Sequence, residues 1–170
     1  MNKKNFGLLL LGVGIFGFFY FSGRKKDFMV EEQHFAQNKI HSFNLETKEN
    51  SNFTMFFWLV DEESGIQMSA NADAVITVSD QNGMLIKREE IIAHSSGASN
   101  GIRKAQNSFE FHYISTKKEY LLIQINLLKG DYIDVEIYED LPANLNIIPG
   151  ISIIIGIIGF VIFLRARAKS

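Results

Sequence analysis

The chain opens and closes on apolar runs and alternates in between. Residues 147–164 carry no charge and include thirteen of the Ile, Leu, Val or Phe type. At roughly −0.3 to −0.6 kcal/mol apiece near the middle of a bilayer, these favour insertion by about 4 to 8 kcal/mol. Pro149, Gly150, Ser152, Gly156 and Gly159 remove less than that. Eighteen helical residues reach about 27 Å, enough for a hydrocarbon core, and a short basic tail, residues 165–170, follows. The first apolar run, residues 6–21, stands behind Lys3 and Lys4 in the order of a secretion signal. Its exit, Tyr20-Phe21-Ser22-Gly23, puts an aromatic where signal cleavage wants a small residue. Residues 1–26 therefore read as an uncleaved signal-anchor in preference to a cleaved signal peptide.

Residues 27–146 carry a different pattern, period two in short segments separated by turn residues. Residues 40–45 make a first strand. Residues 53–60, Phe-Thr-Met-Phe-Phe-Trp-Leu-Val, are apolar on both faces, which predicts the central core strand with Trp58 and Phe56 or Phe57 buried. Asp61-Glu62-Glu63-Ser64-Gly65 reads as a turn and residues 66–68 as a short return strand. Residues 73–80 and 84–90 flank Asn82-Gly83, a hairpin signal in which both residues tolerate positive φ. The polar stretch 94–108 reads as a long connection. Strands follow at 109–114, at 121–127 and, after Lys129-Gly130-Asp131, through Ile133, Val135 and Ile137. The fold class expected is mainly β: an antiparallel β-sandwich, jelly-roll or GOLD-like, of seven or eight strands, flanked by N- and C-terminal transmembrane helices.

An all-β segment beside a membrane span, with Asp80-Gln81-Asn82-Gly83, then Phe109-Glu110-Phe111, then a short basic tail, resembles the GOLD-domain cargo receptors of the early secretory pathway. The resemblance covers roughly residues 40–140. That family's cysteine pair and its coiled coil before the membrane are absent here, so the resemblance implies architecture only.

Charge divides sharply. All nineteen carboxylates fall between Asp27 and Asp140, against nine Lys and Arg in residues 27–146, leaving −10 on that segment. Nucleic acid is not an expected partner, because phosphate binding needs clustered bases. Lys3, Lys4, Arg165, Arg167 and Lys169 outnumber Arg24, Lys25 and Lys26, which places both termini in the cytoplasm and the acidic domain outside. With no cysteine, disulfides, zinc-thiolate sites and a Cys nucleophile are excluded.

Chemistry-bearing patterns are sparse. Gly97-Ala98-Ser99-Asn100-Gly101 matches the G-x-S-x-G of a hydrolase elbow, but that mechanism needs a strand-to-helix turn. Asp61, Glu62 and Glu63 offer oxygen ligands for a weak calcium site if Asp131 and Asp134, or Glu139 and Asp140, meet them at one end of the fold. His34, His41, His94 and His112 lack metal-ligand spacing. Asn52-Phe53-Thr54 is a glycosylation sequon. Gly12, Gly14 and Gly17 match a dinucleotide fingerprint, yet lie inside an apolar span, where glycine serves close helix packing. Ser152, Gly156 and Gly159 form one small-residue stripe that suits the Gly14 and Gly17 face.

The expected function is a non-catalytic, membrane-anchored extracytoplasmic module, an accessory or structural subunit of a membrane or cell-surface assembly. It needs no cofactor, and its partners are the lipid bilayer and a membrane or surface protein. The alternative is a membrane-anchored serine hydrolase acting through Ser99.

Overall fold

A computed structural model of the 170-residue chain describes residues 3–36, 39–64, 70–99 and 102–168. It divides into two units. Residues 1–28 and 141–170 form one, and residues 29–140 form the other.

The first unit is a pair of helices. Helix α1 spans Lys3–Lys25 and runs into a 3-10 turn at Lys26–Phe28; α2 spans Ala143–Arg167. Two segments, Asn5–Phe28 and Ala143–Arg167, are long and apolar enough to cross a membrane. Helix α2 begins four residues before the apolar run and takes Pro149 into its interior. It has no side-chain cap at Pro142, whose carbonyl instead accepts from the Leu145 N–H at 2.9 Å.

The second unit holds eight antiparallel strands: β1 Met29–Ala36, β2 Ile40–Thr47, β3 Ser51–Ser64, β4 Asn71–Ser79, β5 Leu85–Ser99, β6 Ile102–Ser115, β7 Glu119–Lys129 and β8 Tyr132–Glu139. Their hydrogen-bonded order is β1-β8-β3-β6-β5-β4-β7-β2. Alternate residues turn inward from both ends of this order and meet in one core. Phe53, Met55, Phe57 and Leu59 come from β3, Ile76 and Val78 from β4, Leu121, Ile123 and Ile125 from β7, and Ile133, Val135 and Ile137 from β8.

Several sequence expectations are corrected here. Strand β1 precedes the expected first strand. The stretch 94–108 is no connection, because β5 and β6 run through it and pair tip to tip, Ser95 with Ala105 and Ser99 with Ile102. The buried position there is Ala105, with Ala93 just before the stretch, so the strand signal is present but small. Trp58 and Phe56 are not in the core; Phe57 occupies it, fully buried, while Phe56 and Trp58 point from the opposite face of β3. In the β4–β5 turn only Gly83 takes a positive φ, 79°. Its N–H donates to Asp80 O at 3.0 Å, and the register slips at Val78/Ser79, the form of a type I turn closed by a glycine bulge. The expected return strand at residues 66–68 lies outside the described residues.

Candidate functional site

The outward face of β1, β8, β3 and β6 carries what the core does not use. Register alone assembles it. Asp134 on β8 lies between His34 on β1 and Trp58 on β3, and Trp58 in turn faces Ser108 on β6. One row along, Glu136 lies between Glu32 and Phe56, with Glu110 beyond. On the other side Tyr132 faces Val60, which faces Gln106. A depression of about 540 Å³ opens over these rows, lined by Glu32, His34, Trp58, Lys104, Tyr132, Asp134 and Glu136 among others.

Two of its lining residues carry large aromatic rings, Trp58 and Tyr132. Trp58 stacks on Phe56 with centroids 6.3 Å apart, Tyr138 meets Phe56 edge-on at 5.8 Å, and Tyr132 lies 5.0 Å from the His34 ring. Three carboxylates line it, Glu32, Asp134 and Glu136, beside His34 and Lys104. The His34 imidazole donates from Nδ1 to Asp134 Oδ1 at 2.6 Å. Tyr138 donates its hydroxyl to Glu136 Oε2 at 2.5 Å. Burial, that hydrogen bond and the charges of Glu136 and Glu32 together hold the Tyr138 phenol above the usual tyrosine range. Lys104 donates to Glu62 Oε1 at 2.7 Å, and the bond raises its pKa. Such a face offers π surfaces and carboxylate acceptors, a recognition chemistry with no paired nucleophile and base among the lining residues.

This face was not anticipated from sequence. The signal that pointed to it was the double-sided apolarity of residues 53–60, since a solvent-facing antiparallel strand ordinarily carries polar residues on its outer side.

The expected site residues are placed otherwise. Asp61, Glu62 and Glu63 lie on β3 and not in a turn, so neighbours project to opposite faces. Asp61 is buried and accepts from the Asn71 N–H at 2.9 Å, whereas Glu62 is exposed and paired with Lys104. The Glu63 side chain lies outside the described ones. Asp131 is spent on the Glu62 N–H at 2.7 Å, and among the described residues no three His, Cys, Asp or Glu side chains are grouped to hold a metal ion. Ser99 ends β5 and pairs with Ile102 at the start of β6, a strand where an elbow needs a helix; its side chain and Asn100-Gly101 lie outside what is described. His94 is occupied with Asn71 Oδ1 at 3.0 Å. Asn52 is exposed near the start of β3, and its N–H donates to Asp140 Oδ1 at 2.9 Å.

In the helical unit the small residues come together. A Cβ at Gly14 would lie 2.5 Å from Gly156 N and 2.6 Å from Ser152 O; one at Gly17 would meet Ser152 Oγ at 2.7 Å, and one at Gly159 would meet Leu11 N at 2.5 Å. Gly7, seven residues before Gly14, joins them against Gly159 O and Phe163 N. At Gly7, Gly14 and Gly159 glycine is required because backbone meets backbone, whereas at Gly17 the neighbour is the Ser152 side chain. The order of contacts is antiparallel, so Lys3 and Arg165 share one end of the pair and line one small cavity.

No family model and no curated protein matches the chain. Among solved structures it is similar to the periplasmic inhibitor of g-type lysozyme PliG of Aeromonas hydrophila, 11% identical, over 64% of this chain and 82% of that one, with a TM-score of 0.33. It is also similar to latent PorU of Porphyromonas gingivalis, 17% identical, over 64% of this chain and 11% of that one, TM-score 0.30. A third is TmCBM61 in complex with β-1,4-galactotriose, 15% identical, over 64% of this chain and 69% of that one, TM-score 0.32. None of the three is described as a GOLD-domain protein.

Proposed function

We propose that this chain is a non-catalytic interaction module, anchored in a membrane by α1 and α2 with residues 29–140 displayed on the extracytoplasmic side as an accessory or structural subunit of a surface assembly. The order β1-β8-β3-β6 and β2-β7-β4-β5, joined at the β5–β6 tips, is that of a jelly roll, which supports a two-sheet sandwich. The antiparallel helix pair supports a topology with both termini on one side, where Lys3, Lys4, Arg165, Arg167 and Lys169 outnumber Arg24, Lys25 and Lys26 at the other end.

The observation that carries the reading is Trp58. The chain's one tryptophan stands outside the core, lining the depression together with Tyr132 and stacked beside Phe56. Tryptophan and tyrosine at a solvent-facing depression are what contact surfaces are built from. A photo-cross-linking residue at Gln106, beside the depression, is expected to trap a partner in intact membranes. The same residue at exposed Gln124 on β7 is expected to trap none. The Gln106 product is expected to disappear with Trp58→Ala. Equal products from both positions, or a Gln106 product indifferent to Trp58, would remove this face as the contact surface.

A further inference from the structure

We infer that the depression over Trp58 receives a cationic polypeptide segment, its Arg or Lys side chains laid over the indole between Glu32, Asp134 and Glu136. The inference rests on the reading of this face as the contact surface and adds the chemistry of what it contacts.

Charge placement is the first ground. Glu32 and Glu136 stand directly opposite each other across β1 and β8, and Glu110 lies in the same row beyond Phe56. Like charges facing across a strand pair are destabilising. Glu32 is exposed and has no hydrogen bond or ion pair among the described residues. The bases that line the depression are engaged, Lys104 by Glu62 and His34 by Asp134. A cation arriving between Glu32 and Glu136 relieves a repulsion that the domain offsets only by the Tyr138 hydroxyl on Glu136.

The second ground is the ring system. A guanidinium or ammonium is drawn to the face of an indole, by an amount that grows as water is displaced, and Trp58 offers that face half-buried, directly beside Asp134. An anionic ligand meets no free base among the described lining residues. A neutral oligosaccharide would find the ring but leave facing carboxylates uncompensated. The third ground is shape. Four strands at about 4.8 Å spacing make a face some 14 Å across, the reach of about four extended residues. It is an open trough suited to a chain more than to an enclosed small amine.

Trp58 is the only tryptophan, so its emission reports on this site alone. Full-length protein in non-ionic detergent micelles is titrated with a tetra-arginine peptide, with tetra-glutamate and with cellotetraose. The expected result is a saturable change in Trp58 emission with tetra-arginine only. Glu32→Gln, at an exposed position that bears no packing, is expected to weaken the dissociation constant about threefold, and Glu32→Gln/Glu136→Gln about tenfold. Glu49→Gln/Glu90→Gln removes the same charge elsewhere on the exposed surface and is expected to leave the constant unchanged. No change with tetra-arginine, a response to cellotetraose in its place, or equal weakening by both double variants overturns the inference. A Trp58-dependent cross-link from Gln106 survives any of these, so the contact face and its ligand chemistry fail separately.

Discussion

The helix pair makes its sharpest demand at Gly14. A Cβ there would stand 2.5 Å from Gly156 N, where ordinary contact begins at 3.4 Å, and its other close neighbours, Gly156 Cα and Ser152 O, are backbone as well. No side chain can swing aside, so the helices must part by about 0.9 Å, and a gap of that order forfeits a quarter to a half of each dispersion contact along the seam. In lipid, where no hydrophobic effect holds helices together, a loss on the order of 1 kcal/mol lowers the paired population about fivefold. Leucine adds further bulk. The assay uses a cysteine pair at Gly17 and Ser152: the ideal Cβ at Gly17 lies 3.4 Å from Ser152 Cβ, near the short end of disulfide geometry, and the chain has no other cysteine. Disulfide yield under mild oxidation is expected to fall about fivefold or more with Gly14→Leu. Gly12→Leu, with nothing within 4 Å of its Cβ, is expected to leave the yield intact, and so is Gly156→Ala, whose Cβ meets only Gly14 Cα at 3.8 Å. Equal yields for Gly14→Leu and Gly12→Leu would refute the packing described.

Two further outcomes follow from the β-domain. Phe57→Ala empties a fully buried site and is expected to cost about 3 to 5 kcal/mol in denaturant unfolding. Trp58→Ala, on the outer face, is expected to cost about 1 kcal/mol; the reverse ranking would return Trp58 to the core. Burial, and then the hydrogen bond to Glu119 at 2.6 Å, push the Tyr113 phenol from 10.0 up to about 12. The folded state therefore holds this proton more tightly than the unfolded chain does. The stabilisation is complete below pH 10 and is lost as pH rises from there toward 12. Thermal melts are expected to fall more steeply above pH 10 for the parent than for Tyr113→Phe, and equal slopes would contradict the assignment.

The sequence carried the two apolar terminal helices and most strands because their apolar residues are large and regularly spaced. It did not carry the parity of β3. Phe53, Met55, Phe57 and Leu59 on one side and Phe56, Trp58 and Val60 on the other are both apolar, and only the pairing with β6 and β8 decides which side faces the core. Strand β1 was illegible because its inward positions, Met29, Glu31, Gln33 and Phe35, mix charge with apolarity at a sheet edge. The β5–β6 hairpin hid behind alanines. Asp61 and Glu62 read as a turn by composition, yet extend β3 because Asp61 accepts from the Asn71 N–H and Glu62 pairs across to Lys104. The small-residue stripe was visible in both helices, though Gly7 escaped notice; its seven-residue spacing from Gly14 was the signal.

The central claim, that an anchored domain faces away from the cytoplasm, is tested most directly by labelling in intact cells. Because the chain has no cysteine, Gln81→Cys in the exposed β4–β5 turn and Ala168→Cys at the end of α2 can each be read without background. A membrane-impermeant maleimide is expected to label the Gln81→Cys protein on intact cells, and to label the Ala168→Cys protein only after the membrane is opened. Labelling of the Ala168→Cys protein alone on intact cells would contradict the orientation, and recovery of both variants in the soluble fraction would contradict the anchoring itself.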